Sequence, residues 1–127
     1  MVLSLRLLES GAIRDVYALA VDERCEVTEF VRGLDVRARK HLFHAFESLT
    51  GTGRAGQGET VFKHLEASVY EFKEHASNSR VFCFLEGRRV VVCTHACPKP
   101  AGKARYRDEI DKVKSWRARC IAAGVLS

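Results

Sequence analysis

The sequence predicts an α+β fold in which a strand and two helices precede three further strands and a final helix. Three observations support that class. A short run of β-branched and aromatic residues lies at residues 15–21, apolar residues recur at helical spacing over residues 27–49, and strand-like segments separated by turns follow residue 66. Because tight turns join the three later strands, we expect a small, mainly antiparallel sheet.

Length and composition predict a single globular domain over residues 1–127. The chain has 127 residues, of which 46% are hydrophobic and 29% charged, and this excludes both intrinsic disorder and two separately cored domains. No apolar run approaches the roughly 20 residues of a membrane helix, and the N-terminal segment lacks a signal-peptide cleavage pattern. We therefore expect a cytoplasmic protein with no membrane partner.

Two helices are predicted between the first strand and a glycine-rich loop. The first has apolar residues at i, i+3, i+4 and i+7, namely Val27, Phe30, Val31 and Leu34. Asp35 is the predicted N-cap of the second helix. The apolar face of that helix consists of Leu42, Phe43, Phe46 and Leu49. Four glycines within residues 50–58 then predict a loop.

The second half of the chain has the patterns of a sheet followed by a helix. Strands are predicted at residues 67–75, 80–85 and 89–95, with two-residue turns at Ser77–Asn78 and at Gly87. Pro98 and Pro100 end the sheet. The final helix has Ile110, Val113, Trp116, Arg117, Cys120 and Ile121 at helical spacing and ends at Gly124.

Alternation of side chains along the strands separates a cationic face from an apolar one. With two-residue turns, the cationic face carries Glu71, Lys73, His75, Arg80, Phe82, Phe84 and His95. The apolar face carries Tyr70, Phe72, Val81, Cys83, Leu85, Val90 and Val92, and it is suited to packing against helices. Cations beside exposed aromatic rings can hold RNA phosphates while a base stacks. The alternative is that the two phenylalanines pack under the C-terminal helix and the charges surround them.

The net charge of +5 is distributed unevenly along the chain. Residues 1–60 have a net charge of −1, whereas residues 61–127 have a net charge of +6. The segment from residue 99 to residue 107 has no acid and contains Lys99, Lys103, Arg105 and Arg107. This asymmetry favours a polyanionic partner, nucleic acid first, with a solvated basic face as the alternative.

The five cysteines are an odd number, which favours reduced thiols over a disulfide framework. Cys93, His95 and Cys97 supply three candidate zinc ligands, but a second ligand pair at short spacing is missing, so buried thiols are the preferred interpretation. With the predicted two-residue turn at Gly87, the Cys93 side chain lies on the same face of the sheet as those of Arg80 and His95. Nucleotide-binding and metal-hydrolase motifs are absent, so we expect neither a metal nor a cofactor.

Three segments resemble a known toxin family. Residues 69–73 (VYEFK) and 79–84 (SRVFCF) are similar to the LYELR and YRVLYF patterns of the phage-derived HigB-type toxins in the RelE/ParE superfamily. Residues 95–99 (HACPK), with Lys103 and residues 108–110 (DEI), are similar to that group's HGFxKK … K … EI segment. The resemblance covers residues 14–120. It implies a RelE-like sheet with helices on one side, an mRNA endonuclease acting on the ribosome or on free mRNA, and a helix-turn-helix antitoxin as partner.

The resemblance and the cationic face together indicate which residues would act. Lys73 and Arg80 match basic positions of the family patterns and would stabilise negative charge on the phosphate during cleavage. His95 is a candidate proton shuttle because its ordinary pKa is about 6.5. Glu71 is a candidate base or an ion-pair partner of Lys73. Tyr106 could donate a proton or stack, or only begin the last helix. The expected RNA-binding residues are Lys99, Lys103, Arg105, Arg107, Arg54 and Phe82.

Two departures from the family patterns bear on activity. Lys73 stands where the family more often has arginine, and Pro100 replaces the second lysine of a pair. Lysine lacks the planar fork of arginine, so phosphate binding differs there. The second interpretation is a non-catalytic superfamily member that binds an antitoxin or inhibits a topoisomerase. Packing of Lys73, Arg80 and His95 beneath the C-terminal helix would favour it.

Overall fold

The computed structural model describes residues 1–54 and 58–126 and confirms the predicted α+β class. The elements are strands β1 (Leu3–Ser10) and β2 (Asp15–Val21), helices α1 (Glu26–Arg32) and α2 (Val36–Thr52), strands β3 (Phe62–Glu66), β4 (Val69–Glu74), β5 (Ser79–Glu86) and β6 (Val90–Pro98), and helix α3 (Lys103–Ala123). Within these ranges, no helix has the length and apolar character needed to cross a membrane.

The strands form one mixed sheet in the order β1-β2-β6-β5-β4-β3. β2 and β6 are parallel, and the other neighbouring pairs are antiparallel. The prediction of four strands is therefore wrong, because both edge strands were missed. β1 has leucines at adjacent as well as alternating positions, which obscures a strand pattern. The segment predicted to begin at residue 67 starts instead with the turn between β3 and β4, where Ala67 has a φ of 48°, and its strand begins at Val69.

Helices cover both faces of the sheet, rather than one face as the resemblance implies. α1 and α2 pack on one face, where Phe46 and Phe72 contribute to the core. α3 packs on the other face, where Phe82, Phe84 and Val113 form a second core. Both faces of the central strands carry apolar side chains, so each needs a covering layer. We call these the α2 face and the α3 face.

Local signals for the helix ends are confirmed. The carboxylate of Asp35 accepts a hydrogen bond from the Ala38 backbone N–H at 2.8 Å, which caps α2. Gly53 and Gly124 end α2 and α3 with φ values of 81° and 74°, a conformation that favours glycine. Of the predicted glycine loop, residues 50–52 belong to α2, and residues 55–57 lie outside the described residues.

The β4–β5 hairpin differs in register from the prediction but keeps the predicted faces. Lys73 lies opposite Arg80 and Glu71 lies opposite Phe82, because four residues rather than two form the turn. A shift of two residues preserves the alternation of side chains, so these four residues share a face as predicted. His75 lies in the turn, outside the strand.

A β-bulge in the β5–β6 hairpin changes the faces of several β6 residues. Cys83 lies opposite Cys93, whereas the preceding Phe82 lies opposite His95. β6 therefore has one extra residue between these two pairs. Because of this bulge, His95 lies on the same face of the sheet as Arg80, as predicted, although the residues before the bulge do not keep their predicted faces. The predicted faces of Val90, Val92 and Cys93 are wrong: the two valines lie on the α3 face and Cys93 on the α2 face.

The five cysteines are all free, and four of them are buried. Burial raises the pKa of the Cys83 thiol and raises that of the half-buried Cys97 thiol to about 11, so both thiols are un-ionised at neutral pH. Cys93 and His95 belong to opposite faces, so the candidate zinc ligands of this segment do not converge. No group of three or more metal-ligating side chains is found in the described ranges.

Candidate functional site

An open groove of about 820 Å³ lies between strands β3 to β5 and the beginning of α3. Its charged lining, in the described part of the chain, consists of six cations and one carboxylate: Lys63, Lys73, Arg80, Lys99, Lys103, Arg107 and Glu71. Its apolar lining comes from Leu65, Pro100, Tyr106 and Ile110. A concave surface with such an excess of positive charge attracts polyanions.

The groove brings together most of the site residues predicted from the sequence. Six of them line it: Glu71, Lys73, Arg80, Lys99, Lys103 and Arg107. Four lie elsewhere: His95 and Phe82 are buried beneath α3, Arg105 is exposed on α3, and Arg54 is exposed after α2. The groove residues come from four separate segments, and the folding of α3 over the sheet makes them neighbours.

Glu71 and Arg80 form a buried ion pair in the groove. The Arg80 Nε atom lies 3.0 Å from Glu71 Oε1, and the two side chains are 5% and 1% exposed. Arg80 Nη1 donates to the carbonyl of Ser79 at 2.9 Å, whereas the buried Nε is not aligned for a hydrogen bond with any described residue. The partner of Glu71 is therefore Arg80, not Lys73.

Tyr106, whose role the sequence left open, joins this pair. Its hydroxyl donates to Glu71 Oε1 at 3.0 Å from the beginning of α3. Burial raises the pKa of the phenol, and Glu71 also raises it, while Arg80 opposes the shift. The phenol is therefore protonated at neutral pH. The sequence signal for this residue is its place inside the acid-free basic segment that begins at Lys99.

His95 is enclosed beneath α3, with both ring nitrogens occupied. Nδ1 lies 2.8 Å from the Thr94 hydroxyl, and Nε2 lies 2.5 Å from a carboxylate oxygen of Glu109. Burial lowers the pKa of the imidazole, Lys112 lowers it further, and Glu109 opposes both effects. A neutral ring then donates from Nε2 and accepts at Nδ1. The accessible position expected of a proton shuttle is not observed, because α3 covers the ring.

Phe82 supports the site from below instead of facing solvent. Its ring is fully buried, stacks on His95 at a centroid distance of 5.1 Å and meets Tyr106 edge-on at 6.0 Å. The predicted exposure of Phe82 and Phe84 is therefore wrong, and the alternative, packing under the C-terminal helix, is observed. The ring fixes the position of Tyr106 and is not available for stacking with a base.

Ion pairs as well as apolar contacts attach α3 to the sheet. They join Arg107 and Lys114 to Glu66, and Arg117 to Glu86. In contrast, Lys73, Lys99 and Lys103 have no carboxylate within ion-pair distance among residues 1–54 and 58–126. These three lysines therefore remain available to an external anion.

We expect acid to weaken the attachment of α3 through Glu66. Hydrogen bonds from Arg107 and Lys114 lower the pKa of Glu66 from its usual value of 4.5 to about 2. Because the folded-state pKa is the lower one, this stabilisation is present above pH 4.5 and is lost as the pH falls towards 2. Glu66→Gln should therefore reduce the difference in unfolding free energy between neutral and acidic pH, measured by urea denaturation at each pH.

The exposed Glu59 provides the matched control for this prediction, since it forms no ion pair with a described residue. Glu59→Gln should leave the pH dependence of stability near that of the unmodified chain. If the stability of Glu66→Gln depends on pH as strongly as that of the unmodified chain, the ion pairs of Glu66 do not lower its pKa in the folded state.

The model of the family described as "Phage derived protein Gp49-like (DUF891)" matches residues 29–117 of the chain. This range runs from α1 through most of α3 and contains every residue that lines the groove. No curated protein and no solved structure matches the chain.

Proposed function

Because the chain belongs to the Gp49-like phage-derived protein family, within the RelE/ParE-like toxin superfamily, we propose that it is a HigB-type toxin that cleaves mRNA without a metal ion. Membership of this family is consistent with a toxin–antitoxin role. The observation that supports RNA cleavage is the groove, where unpaired lysines surround the Glu71–Arg80–Tyr106 centre. The proposal includes a helix-turn-helix antitoxin as partner and mRNA as substrate, free or on the ribosome.

Charge and lining both suit the groove to an RNA strand. Lys73, Lys99 and Lys103 can each contact a phosphate, because no described carboxylate neutralises them. The apolar side chains of Leu65 and Ile110 offer a surface for a ribose or an unstacked base. A groove of this kind accepts a single strand whose backbone lies along the lysines.

The proposed reaction is attack of the ribose 2′-oxygen on the adjacent phosphorus, with breakage of the bond from phosphorus to the 5′-oxygen. The 2′-hydroxyl proton passes to the Tyr106 oxygen as the phenol proton passes to Glu71. Arg80 and Lys73 stabilise the charge that develops on the non-bridging oxygens. The Lys103 ammonium protonates the leaving 5′-oxygen. The products are a 2′,3′-cyclic phosphate and a 5′-hydroxyl, and proton exchange with solvent restores the side chains.

Cleavage of an RNA oligonucleotide in the presence of EDTA tests this proposal. We expect Arg80→Lys to lower the cleavage rate by roughly 10²–10³-fold, because the charge remains but the planar fork is lost. Arg88→Lys, in the turn at the opposite end of the sheet, should leave the rate unchanged. A 2′-deoxy substitution at the cut nucleotide should abolish cleavage there, because the attacking oxygen is absent.

Two outcomes would contradict the proposed reaction. One is cleavage at the 2′-deoxy nucleotide, since that reaction would need another nucleophile. The other is an unchanged rate for Arg80→Lys on an RNA that the unmodified chain cuts. If free RNA is not cut, the same sequence translated on ribosomes provides the second substrate for both variants.

Burial of two predicted catalytic residues supports a second candidate, a non-catalytic superfamily member. Arg80 is 4% exposed and His95 is 1% exposed, whereas Lys73 is half-buried. Such a protein would bind an antitoxin or inhibit a topoisomerase through its surface. Induced expression in a bacterium separates the two candidates: growth arrest with mRNA cuts favours the ribonuclease, and growth arrest without cuts favours the topoisomerase inhibitor.

A further inference from the structure

The outer side of α2 carries a concentration of cations that does not belong to the groove. Residues 36–46 contain three cations, two histidines and no carboxylate. Four exposed members of this segment follow the spacing i, i+3, i+4 and i+7, and we call them the α2 stripe: Arg37, Lys40, His41 and His44. The stripe extends roughly 10 Å along the helix.

Folding alone does not account for these charges. His41 lies 3.2 Å from a carboxylate oxygen of Glu74, but Arg37, Lys40 and His44 form no ion pair with a described residue. Arg37 lies in the first turn of α2, which contains no acid, and the helix dipole disfavours a cation there. Arg37 therefore slightly destabilises its own helix, and the unpaired Arg37 and Lys40 are both available to an external anion.

The α2 stripe and the groove lie at the same end of the sheet, on opposite faces. Lys73 lines the groove, and the next residue, Glu74, contacts His41 on the α2 face. The backbone N–H of Lys99, another groove residue, donates to the carbonyl of Asn78 in the β4–β5 turn. The turn is therefore the short connection between the two cationic surfaces. A strand that leaves the groove past this turn next meets α2.

We propose that the α2 stripe binds the phosphate backbone of RNA outside the groove, so that the RNA site continues around the end of the sheet. This inference rests on the proposed RNA substrate, but it concerns binding and not cleavage. The charge selects a polyanion. RNA is favoured over an acidic protein segment because the stripe adjoins a groove whose own free lysines suit phosphates.

Binding of 2′-O-methyl RNA, which lacks the attacking hydroxyl, tests the proposal without interference from cleavage. The probes are strands of about six and about 20 nucleotides, measured by fluorescence anisotropy at several salt concentrations. The stripe variant is Arg37→Gln with Lys40→Gln. The control variant is Arg88→Gln with Arg119→Gln, which has the same net charge. Arg88 lies in the β5–β6 turn at the other end of the sheet, and Arg119 lies near the end of α3, where its guanidinium covers the Trp116 ring. Circular dichroism shows that both variants are folded.

We expect the stripe variant to lose roughly tenfold affinity for the longer strand near 0.1 M salt, because two phosphate contacts are lost. The plot of log affinity against log salt concentration has a negative slope, and the magnitude of that slope should be smaller by about 1.4 in the stripe variant. Its affinity for the shorter strand should equal that of the unmodified chain, since a short strand fills only the groove. The control variant should bind both strands like the unmodified chain.

Equal affinity of the stripe and control variants for the longer strand would overturn the inference and favour an acidic protein segment as the ligand of α2. A matching loss for the shorter strand would also overturn it, because it would place Arg37 and Lys40 inside the groove site. If the chain binds the longer strand tightly through the stripe but cleaves unmodified RNA neither free nor during translation, only the proposed reaction is contradicted. Failure of the unmodified chain to bind either strand would overturn the inference about α2, and the proposed reaction would then be tested on RNA translated by ribosomes.

Discussion

Glu71→Gln is expected to lower the free energy of unfolding by about 3–5 kcal/mol, because it leaves the Arg80 guanidinium buried without its counter-ion. The pair is almost fully enclosed, so water cannot replace the lost charge efficiently. The amide still accepts the Tyr106 hydrogen bond, which separates the charge effect from simple loss of that contact. Urea denaturation measured by circular dichroism provides the free energies.

A second variant keeps this prediction testable if Glu71→Gln does not fold. Glu71→Gln combined with Arg80→Met removes both charges, and we expect most of the lost stability to return. Glu29→Gln, which breaks an exposed pair with Arg24, is the matched control and should cost far less stability, because solvent screens that pair. If Glu71→Gln loses as little stability as this control, water in the groove reaches the Arg80 guanidinium and replaces its counter-ion.

Phe82→Ala is expected to lower the free energy of unfolding by about 3–5 kcal/mol and to displace the beginning of α3. The ring is fully buried, and it contacts both His95 and Tyr106. Its loss opens a cavity beneath the part of α3 that holds Tyr106 against Glu71. Fluorescence of Trp116, the single tryptophan, should report this displacement because Trp116 packs on the same core.

Phe46→Ala provides the control for a purely structural effect. Phe46 is also fully buried, but it lies in the core on the α2 face. We expect a similar loss of stability with unchanged tryptophan fluorescence in the folded state. Phe82→Leu is the milder variant, with a loss of about 1–2 kcal/mol, if the alanine variant does not fold. Equal fluorescence changes for Phe82→Ala and Phe46→Ala would contradict a local role for Phe82.

The two predictions concern one structural unit, the contact between α3 and the sheet at the groove. Glu71 and Arg80 supply buried charge, Phe82 supplies apolar support, and Tyr106 connects the two. The unit would act in the proposed reaction only if α3 stays in place. Stability and RNA cleavage should therefore decrease together when this contact is weakened.

Features that depend on neighbouring residues were predicted correctly from the sequence. The strand at residues 15–21 matches β2, the Asp35 cap begins α2, and Gly124 ends α3. Strand alternation also placed Glu71 and Arg80 on one face, although the turn is longer than predicted, because a shift of two residues preserves alternation.

The accessibility of these side chains to solvent, in contrast, depends on the packing of distant elements. Alternation assigns a side chain to a face but does not say what covers that face, so Phe82 and His95 were predicted to be accessible. α3 covers them, and Glu109 reaches His95 from a distant part of the chain. The hydrogen bond between Tyr106 and Glu71 likewise joins segments 35 residues apart. Local periodicity cannot encode such contacts, because they depend on how a distant helix packs against the sheet.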